Sequence, residues 1–511
     1  MSDAVAHMEV KHKGLITLSI MLATIMQVLD TTIANVALPS MQGNLGAAQD
    51  TITWVLTSYI VASAIMMPMT GWLSDHMGRN RLFLACVGGF TLASMLCGLA
   101  TSLTEMVFFR LLQGLFGAGL APLSQAVLLD INPRERHGQA MAMWGAGIMV
   151  APVLGPTLGG WLTDSFDWRW VFYINLPVGI LAFLGIAIYM PPAPRRQRPF
   201  DFFGFAMLSL FIGGLQLMLD RGEQLDWFSS GEVMVEAAVA VSALWCFVIH
   251  SMTTEHPFLH PQLFTDRNFV AGCVFTFAIG IVLLATTALL PPILQNILGY
   301  PTELTGLVLA PRGVGTMLSM LAVGRLMRSV DARLLILIGL LLTAWSLYDM
   351  TGFSTEMDSW PVIKTGLIQG LGLGLVFVPM STIGFATLPG QFRTEGTALY
   401  SLVRSIGSSI GISVVSTLLS QNTQVNHAEL AERITPFTPG LDQMAAALKM
   451  PVTSQAFESV LNQYVNGQAI MIAFIDDFKL MMFVTLVSVP LLVLLRKPKV
   501  VPRQAPPPDA H

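Results

Sequence analysis

Two charged residues stand where charge is expensive. Asp30 lies inside the long apolar run "ATIMQVLDTTIANVALP", and Arg110 opens "RLLQGLFGAGLAP" within another. An ionised side chain in the hydrocarbon of a membrane is costly unless it is paired or hydrated, so such residues mark ion pathways and coupling sites. Depth arithmetic makes the two partners. A helix starting near Leu15 places Asp30 roughly 22 Å from that boundary at ~1.5 Å per residue. A helix returning from about Glu105 places Arg110 roughly 8 Å below the opposite boundary, which leaves ~22 Å of a ~30 Å core. An acid and an arginine at one level are expected to pair, and water entering from one side could protonate the acid and free the arginine. A static salt bridge that fixes helix packing is the competing reading, and the charges alone leave both open.

Other residues extend this chemistry. Gln113 is one turn from Arg110 and can hydrogen-bond in the same cavity; it and Gln125 can equally serve packing. Arg312 in "LAPRGVG" and Arg404 in "YSLVRSIGSSIG" are further charges within apolar runs, facing a pore or a partner rather than lipid. Gln27, Asn35, Gln113, Gln125, Arg312 and Arg404 are therefore the candidates for a substrate cavity. In "GIMVAPVLGPTLGGW", Gly147, Ala151, Gly155 and Gly159 recur every fourth residue on one helix face, and Pro152 and Pro156 supply bends. That smooth, kinked face suits sliding contact with an opposing bundle. In "GWLSDHMGRNR", Asp75 and Arg79 would be one turn apart in a helix, and the acid could cap a neighbouring helix in one conformation.

These residues need a membrane scaffold, and composition supplies one. Of 511 residues, 53% are hydrophobic and 11% charged, against about a quarter charged in soluble domains. Fourteen stretches are long and apolar enough to span: 15–36, 51–73, 82–100, 105–128, 139–162, 170–190, 202–219, 233–251, 269–290, 304–323, 334–352, 360–387, 397–420 and 475–495. An even count puts both termini on one side. Lys11, Lys13, Arg79, Arg81, Arg134, Arg136, the cluster Arg195, Arg196 and Arg198, Arg325, Arg328 and Arg333 all fall on that side, which is the cytoplasmic one by the positive-inside rule. The segment 1–14 reads as a cytoplasmic lead-in rather than a signal peptide. The four cysteines all sit in apolar runs and read as small buried hydrophobes, not as a disulfide or metal framework.

The turns "TGWLSDHMGRNRL" and "VGRLMRSVDARLL" share Gly-x-Leu and a basic cluster, although the second lacks an acid at the place of Asp75. Matching them makes the second and tenth stretches equivalent. The chain then divides into a six-helix bundle (1–190), a linker with an inserted helix pair (191–268), a second six-helix bundle (269–495) and a tail (496–511). Parallel repeats of this kind rock about a shared midplane site. The outer segment 421–474 reads as a flexible excursion or a partner dock, with short amphipathic helices in "DQMAAALKM" and "SQAFESVLNQYV". Enzymatic motifs fail their context. "GSSIG" (407–411) matches a nucleophile elbow but lies in a membrane helix. No Walker sequence or zinc-protease motif occurs, so ATP is not the expected energy source.

Together the motifs resemble the major facilitator superfamily, and within it the fourteen-helix drug:proton antiporters. "LDTTIANVALP" looks like their helix-one signature, "GWLSDHMGRNR" is similar to the superfamily's helix 2–3 motif, "RLLQGLFGAG" to its helix-4 motif and "GPTLGG" to the antiporter motif. The stretch "LQLMLDRGEQLDWFSS" and the long outer segment look most like the inner-membrane pumps of three-part efflux systems. The resemblance implies an all-α polytopic fold and export of hydrophobic or amphipathic toxic compounds across a bacterial inner membrane in exchange for protons. It also implies a periplasmic adaptor of the EmrA type and an outer-membrane channel of the TolC type, with no cofactor, metal or nucleic acid. By position, Asp30 and Arg110 match the proton-linked pair. Gly71, Asp75, Gly78 and Arg79 match the gating motif, and Gly147, Gly155, Pro156, Gly159 and Gly160 the antiporter helix. One departure is "APRGVG", basic where some relatives carry a second acid. Export or uptake of a specific metabolite, and a sensor that does not transport, are the alternatives.

Overall fold

The computed structural model describes residues 10, 12–48, 51–192, 195, 198–435 and 438–495. The expected lead-in 1–9, Lys11, part of the Pro/Arg linker including Arg196, and the tail 496–511 lie outside the described residues. Among those described there is helix and no strand. That is what an apolar chain must do in lipid, where backbone polar groups have only each other as partners.

Among the described residues thirteen helices are long and apolar enough to cross a membrane, fourteen with one bent pair taken as a single span. In chain order they are α1 Lys13–Leu45, α2 Trp54–Met66 with Met69–Met77, α3 Arg79–Leu99, α4 Leu103–Ile131, α5 His137–Ser165, α6 Trp170–Tyr189 and α7 Phe202–Arg221. They continue as α8 Gly231–Thr253, α9 Arg267–Ile297, α10 Leu304–Leu326, α11 Ala332–Met350, α12 Trp360–Ala386, α13 Gly390–Arg433 and α14 Gln455–Leu494. The 59° bend of α2 falls at Pro68, where the missing N–H and the ring break the helical ladder. Starts are marked by side-chain caps: Ser102 accepts from Glu105 N, Asp201 from Gly204 N, and Asp266 from Asn268 N and Phe269 N, each satisfying an otherwise orphaned donor.

Helices α1–α6 pack into one bundle and α9–α14 into another. The inserted pair α7–α8 packs against itself and leans on both. The Thr57 hydroxyl of α2 donates to Asp220 of α7, and Ser409 of α13 donates to Gln216 at 3.0 Å. The bundles meet along α5–α10 and α4–α13. The repeat is visible in this contact. Gly71 of α2 lies against Glu395 of α13, and Gly324 of α10 lies against Ala142 of α5, so the second helix of each bundle meets the fifth of the other.

The segment 421–474 is not the open excursion its composition suggests. Helix α13 runs on to Arg433 and α14 begins at Gln455, with a short helix Leu441–Leu448 between them. Leu441, Ala445 and Phe457 form a small core of their own there.

Candidate functional site: a buried carboxylate–guanidinium network

Asp30 sits in the middle of α1 and is 1% exposed, while Arg110 of α4 is fully buried. The Arg110 Nη1 donates to Asp30 Oδ2 at 2.7 Å. Two amides complete the shell of the carboxylate. Gln113 Nε2 donates to Oδ1 at 2.8 Å, and Asn175 Nδ2 of α6 donates to the same oxygen at 2.7 Å. Three donors from two helices thus converge on one carboxylate, and a proton placed on Oδ1, which accepts two of them, would displace one.

The guanidinium is fixed as firmly. Its Nε donates to the Val55 carbonyl of α2 at 3.0 Å, and its Nη1 also reaches Gln113 Oε1 at 2.8 Å. Its plane lies 4.5 Å from the Tyr59 ring centre and 5.7 Å from that of Phe172, where the ring faces attract a cation. Nη2 has no hydrogen-bond partner, so this arginine holds unused donors. The network is reached because α2 and α4 touch closely: a Cβ at Gly114 would fall 2.5 Å from the Tyr59 carbonyl oxygen. Asn175 is oriented in turn by Ser94 of α3, at 2.9 Å, whose own hydroxyl donates to Phe172 O. Five helices of one bundle, α1, α2, α3, α4 and α6, therefore share a single polar centre.

A second cluster joins the bundles at the face where both α1 begins and α14 ends. Asp130, at the end of α4, pairs with Arg79 at the start of α3, and with Arg393 at the start of α13 at 2.6 Å. Arg393 also donates to Leu129 O at 3.2 Å. Beside it, Glu395 of α13 accepts from Arg198 of the linker at 3.2 Å and from the His260 N–H at 2.7 Å. The equivalent contact on the other side of the pseudo-twofold is weaker and neutral on one partner, Arg328 donating to Gln139 at 2.9 Å.

Several expectations change. Asp75 and Arg79 are not successive turns of one helix, because α2 ends at Met77 and Gly78 breaks the chain with φ of 86° before Arg79 opens α3. Gly147, Gly155 and Gly159 do not slide on the opposing bundle. They lie against Met21, Thr32 and Ile33 of α1, within their own bundle, and a Cβ at Gly160 would meet open space among the described residues. The inter-bundle side of α5 is carried instead by Val153, Pro156 and Thr157, facing Gly313 and Gly306 of α10. The six cavity candidates stand in different surroundings. Gln113 is committed to the ion pair. Arg312 bonds Thr286, Thr287 and the Leu283 carbonyl of α9, at 2.8–3.0 Å. Arg404 lies 5.7 Å from the centre of the Phe377 ring, and among the described residues no ion pair holds it. Gln27 is half-buried, Asn35 is exposed, and Gln125 is fully buried with neither amide atom paired.

Sequence reasoning passed over Asn175, Ser94, Asp130 and Glu395, and read Arg198 only as topological charge. The signal in the first case was present. An asparagine in "FYINLPVGILAF" is an amide entering an apolar run, the same anomaly that singled out Gln113.

The comparisons agree with this architecture. The chain is 37% identical to the fatty acid resistance protein FarB of Neisseria gonorrhoeae, over 94% of this chain and 96% of that one. It is 36% identical to the multidrug export protein EmrB of Escherichia coli K12, over 90% of each. Its fold is similar to the crystal structure of the human organic anion transporter MFSD10, with a TM-score of 0.60 at 15% identity, covering 92% of this chain and 99% of that one. A family model described as Major Facilitator Superfamily matches residues 20–412, a stretch that takes in the Asp30–Arg110 network, the Asp130 cluster and the inserted pair. With two six-helix bundles related by a repeat and so long a match, this chain belongs to the Major Facilitator Superfamily.

Proposed function

We propose that this protein is a proton-coupled antiporter that exports lipophilic and amphipathic toxic compounds across the inner membrane of a bacterium, with both chain termini in the cytoplasm. The observation that carries the reading is the fully buried Asp30–Arg110 pair with its two amide donors. A charged pair withheld from water costs several kcal/mol that an apolar pair would not, so a role beyond packing is favoured. A proton arriving at Asp30 removes the charge that Arg110, Gln113 and Asn175 are arranged around. The freed donors then re-pair as α1, α4 and α6 shift, and that shift rocks the bundle against its partner. The Asp130–Arg79–Arg393 cluster is the contact that must open when the cytoplasmic side is exposed. Relatives named for multidrug export and fatty acid resistance support the substrate class and the direction.

We place the protein as the pump of a three-part system, with a periplasmic adaptor of the EmrA type and an outer-membrane channel of the TolC type; the helical projection around Leu441–Leu448 is the adaptor's dock. The test of coupling is Asp30→Asn in proteoliposomes carrying a pH gradient. The variant should insert and fold but lose gradient-driven transport of lipophilic compounds. Transport at the parent rate would remove Asp30 from the coupling step.

A further inference from the structure

The second bundle carries a polar layer that the mechanism above does not use. Its sequence repeats that of the first. "TLAS" in α3 (91–94) recurs as "TAWS" in α11 (343–346), "QG" at Gln113 recurs at Gln369 of α12, and "DTT" at Asp30 recurs as "ATT" at Ala285 of α9. Ser94 and Ser346 are both fully buried, as are Gln113 and Gln369. At the positions of the charged pair the second bundle differs: Ala285 stands for Asp30 and Gly366 for Arg110.

The acid has moved rather than vanished. The last helix of the first bundle brings in Asn175, and the last helix of the second brings in Asp477, 1% exposed like Asn175. Asp477 lies 17 residues before Leu494, the end of α14, and Asp30 lies 17 residues after Lys13, the start of α1. At ~1.5 Å per residue Asp30 is roughly 26 Å from the face where α1 begins, and Asp477, with ten residues of α-helix to Val487 and then a tighter 3-10 segment to Leu494, is at a comparable depth. Gln369 is likewise 17 residues from the end of α12. The three share one level of the membrane.

In the first bundle every member of this layer is bonded to another. In the second, neither oxygen of Asp477 and neither amide atom of Gln369 has a hydrogen-bond partner among the described residues. Asp476, next in the chain, is taken up by Lys479 at 2.9 Å. Three helices pack against α14. α9 carries Arg267 and Cys273, α11 carries Arg333, Tyr348 and Asp349, and the membrane part of α13 carries Arg393, Glu395, Tyr400 and Arg404. None of them bonds the Asp477 carboxyl. An ionised carboxylate so enclosed, with no donor and no counter-charge, would cost far more than a carboxylic acid in the same place. Meanwhile Arg312 and Arg404 of the same bundle have no acid to pair with among the described residues.

We propose that Asp477 is a second proton-carrying carboxyl of this transporter, loaded in the conformation seen here and emptied when the second bundle changes its packing. The proposal rests on the proton-coupled reading and extends it. The step is a bare proton transfer: an O–H bond forms at the carboxylate on the proton-rich side and breaks to water on the other.

The experiment uses the full chain in proteoliposomes with ethidium, a fluorescent lipophilic cation. The proton-to-ethidium ratio is read from the combination of pH gradient and membrane potential that halts net ethidium flux. Asp477→Asn, nearly isosteric with the neutral acid, should transport with one proton fewer per ethidium than the parent, and Asp477→Glu should keep the parent ratio. A coupled parent whose Asp477→Asn variant keeps the full ratio overturns this proposal alone. A parent that moves no protons with ethidium overturns the antiport reading and this proposal with it. A second measurement needs no change at Asp477. Asp30→Asn, purified in weakly buffered detergent, should still release protons on binding ethidium, and the absence of release overturns the proposal.

Discussion

At the scale of single residues, the identity of the cation matters as much as its charge. Arg110 spends its Nε on Val55 O and its Nη1 on both Asp30 and Gln113, and lies between two aromatic rings. A lysine keeps the charge but lacks the planar fork. Arg110→Lys forfeits at least two bonds, each worth about 1.5–3 kcal/mol when one partner is charged. Gradient-driven transport should fall by about 100-fold or more where those bonds are made in only one conformation. Asn175→Leu removes one donor and should fall by about tenfold. Initial rates in proteoliposomes, at matched protein insertion, check both, and equal rates for parent and Asn175→Leu would leave Asn175 a packing residue. Asp30 and Arg110 were legible because charge within an apolar run is rare enough to be read by itself. Asn175 left the same kind of signal, an amide in an apolar run, and Asp477 did not, for a geometric reason. The apolar stretch of α14 starts near 475, which makes Asp477 look like an interfacial residue, whereas the helix starts at Gln455 and carries Asp477 deep into the bundle.

At the scale of helices, run length fixed how many spans there are, and it could not fix where they end. The hydrocarbon limits the apolar stretch and not the helix, so α13 and α14 continue past it as polar helices. The close packing of α2 on α4 turns on Gly114, and its consequence can be measured. Gly114→Leu would drive a side chain into the Tyr59 carbonyl, forcing the helices apart at a cost of about 1–3 kcal/mol or more. The thermal midpoint in detergent should drop, with transport dropping further because Arg110 is carried away from Asp30. The interface between α4 and α13 makes a different prediction. Asp130 and Arg79 are 16% and 14% exposed at their side chains, and Arg393 is 5% exposed, so the cluster is largely withdrawn from water. Asp130→Asn removes both ion pairs at once and leaves Arg79 and Arg393 facing each other. That should favour the state in which this face is open, read as faster thiol labelling of a cysteine introduced at Thr397, whose hydroxyl now bonds Pro122 O of α4. Unchanged labelling would show that the apolar contact, not the charge cluster, holds the face shut.

At the scale of the whole molecule, the two bundles are copies that have diverged in where they keep their charge. The first concentrates an acid and an arginine in one bonded centre; the second spreads an acid, two arginines and a glutamine over α10, α12, α13 and α14 without pairing them. The inserted helices close one flank between the bundles, and the extended α13 and α14 rise from the other end as a projection. Helix α13 has 41 residues in its main segment, roughly 62 Å at ~1.5 Å per residue, twice the ~30 Å of hydrocarbon. The projection is a folded object and not slack chain, since His427 bonds Asn462 at 2.8 Å and Leu441, Ala445 and Phe457 pack together. It also presents large apolar side chains on its surface, Val425 and Tyr464 each 55% exposed. The Asp30 network and the projection lie on different parts of the chain and do not share a bond. Replacing 441–448 with a short Gly/Ser linker should therefore leave gradient-driven transport in proteoliposomes unchanged, because no adaptor is present there. The same variant should lose co-purification with an EmrA-type adaptor and should fail to protect cells against lipophilic toxins. Retained adaptor binding would move the dock elsewhere on this face, and loss of transport in liposomes would mean that the projection couples to the bundles after all.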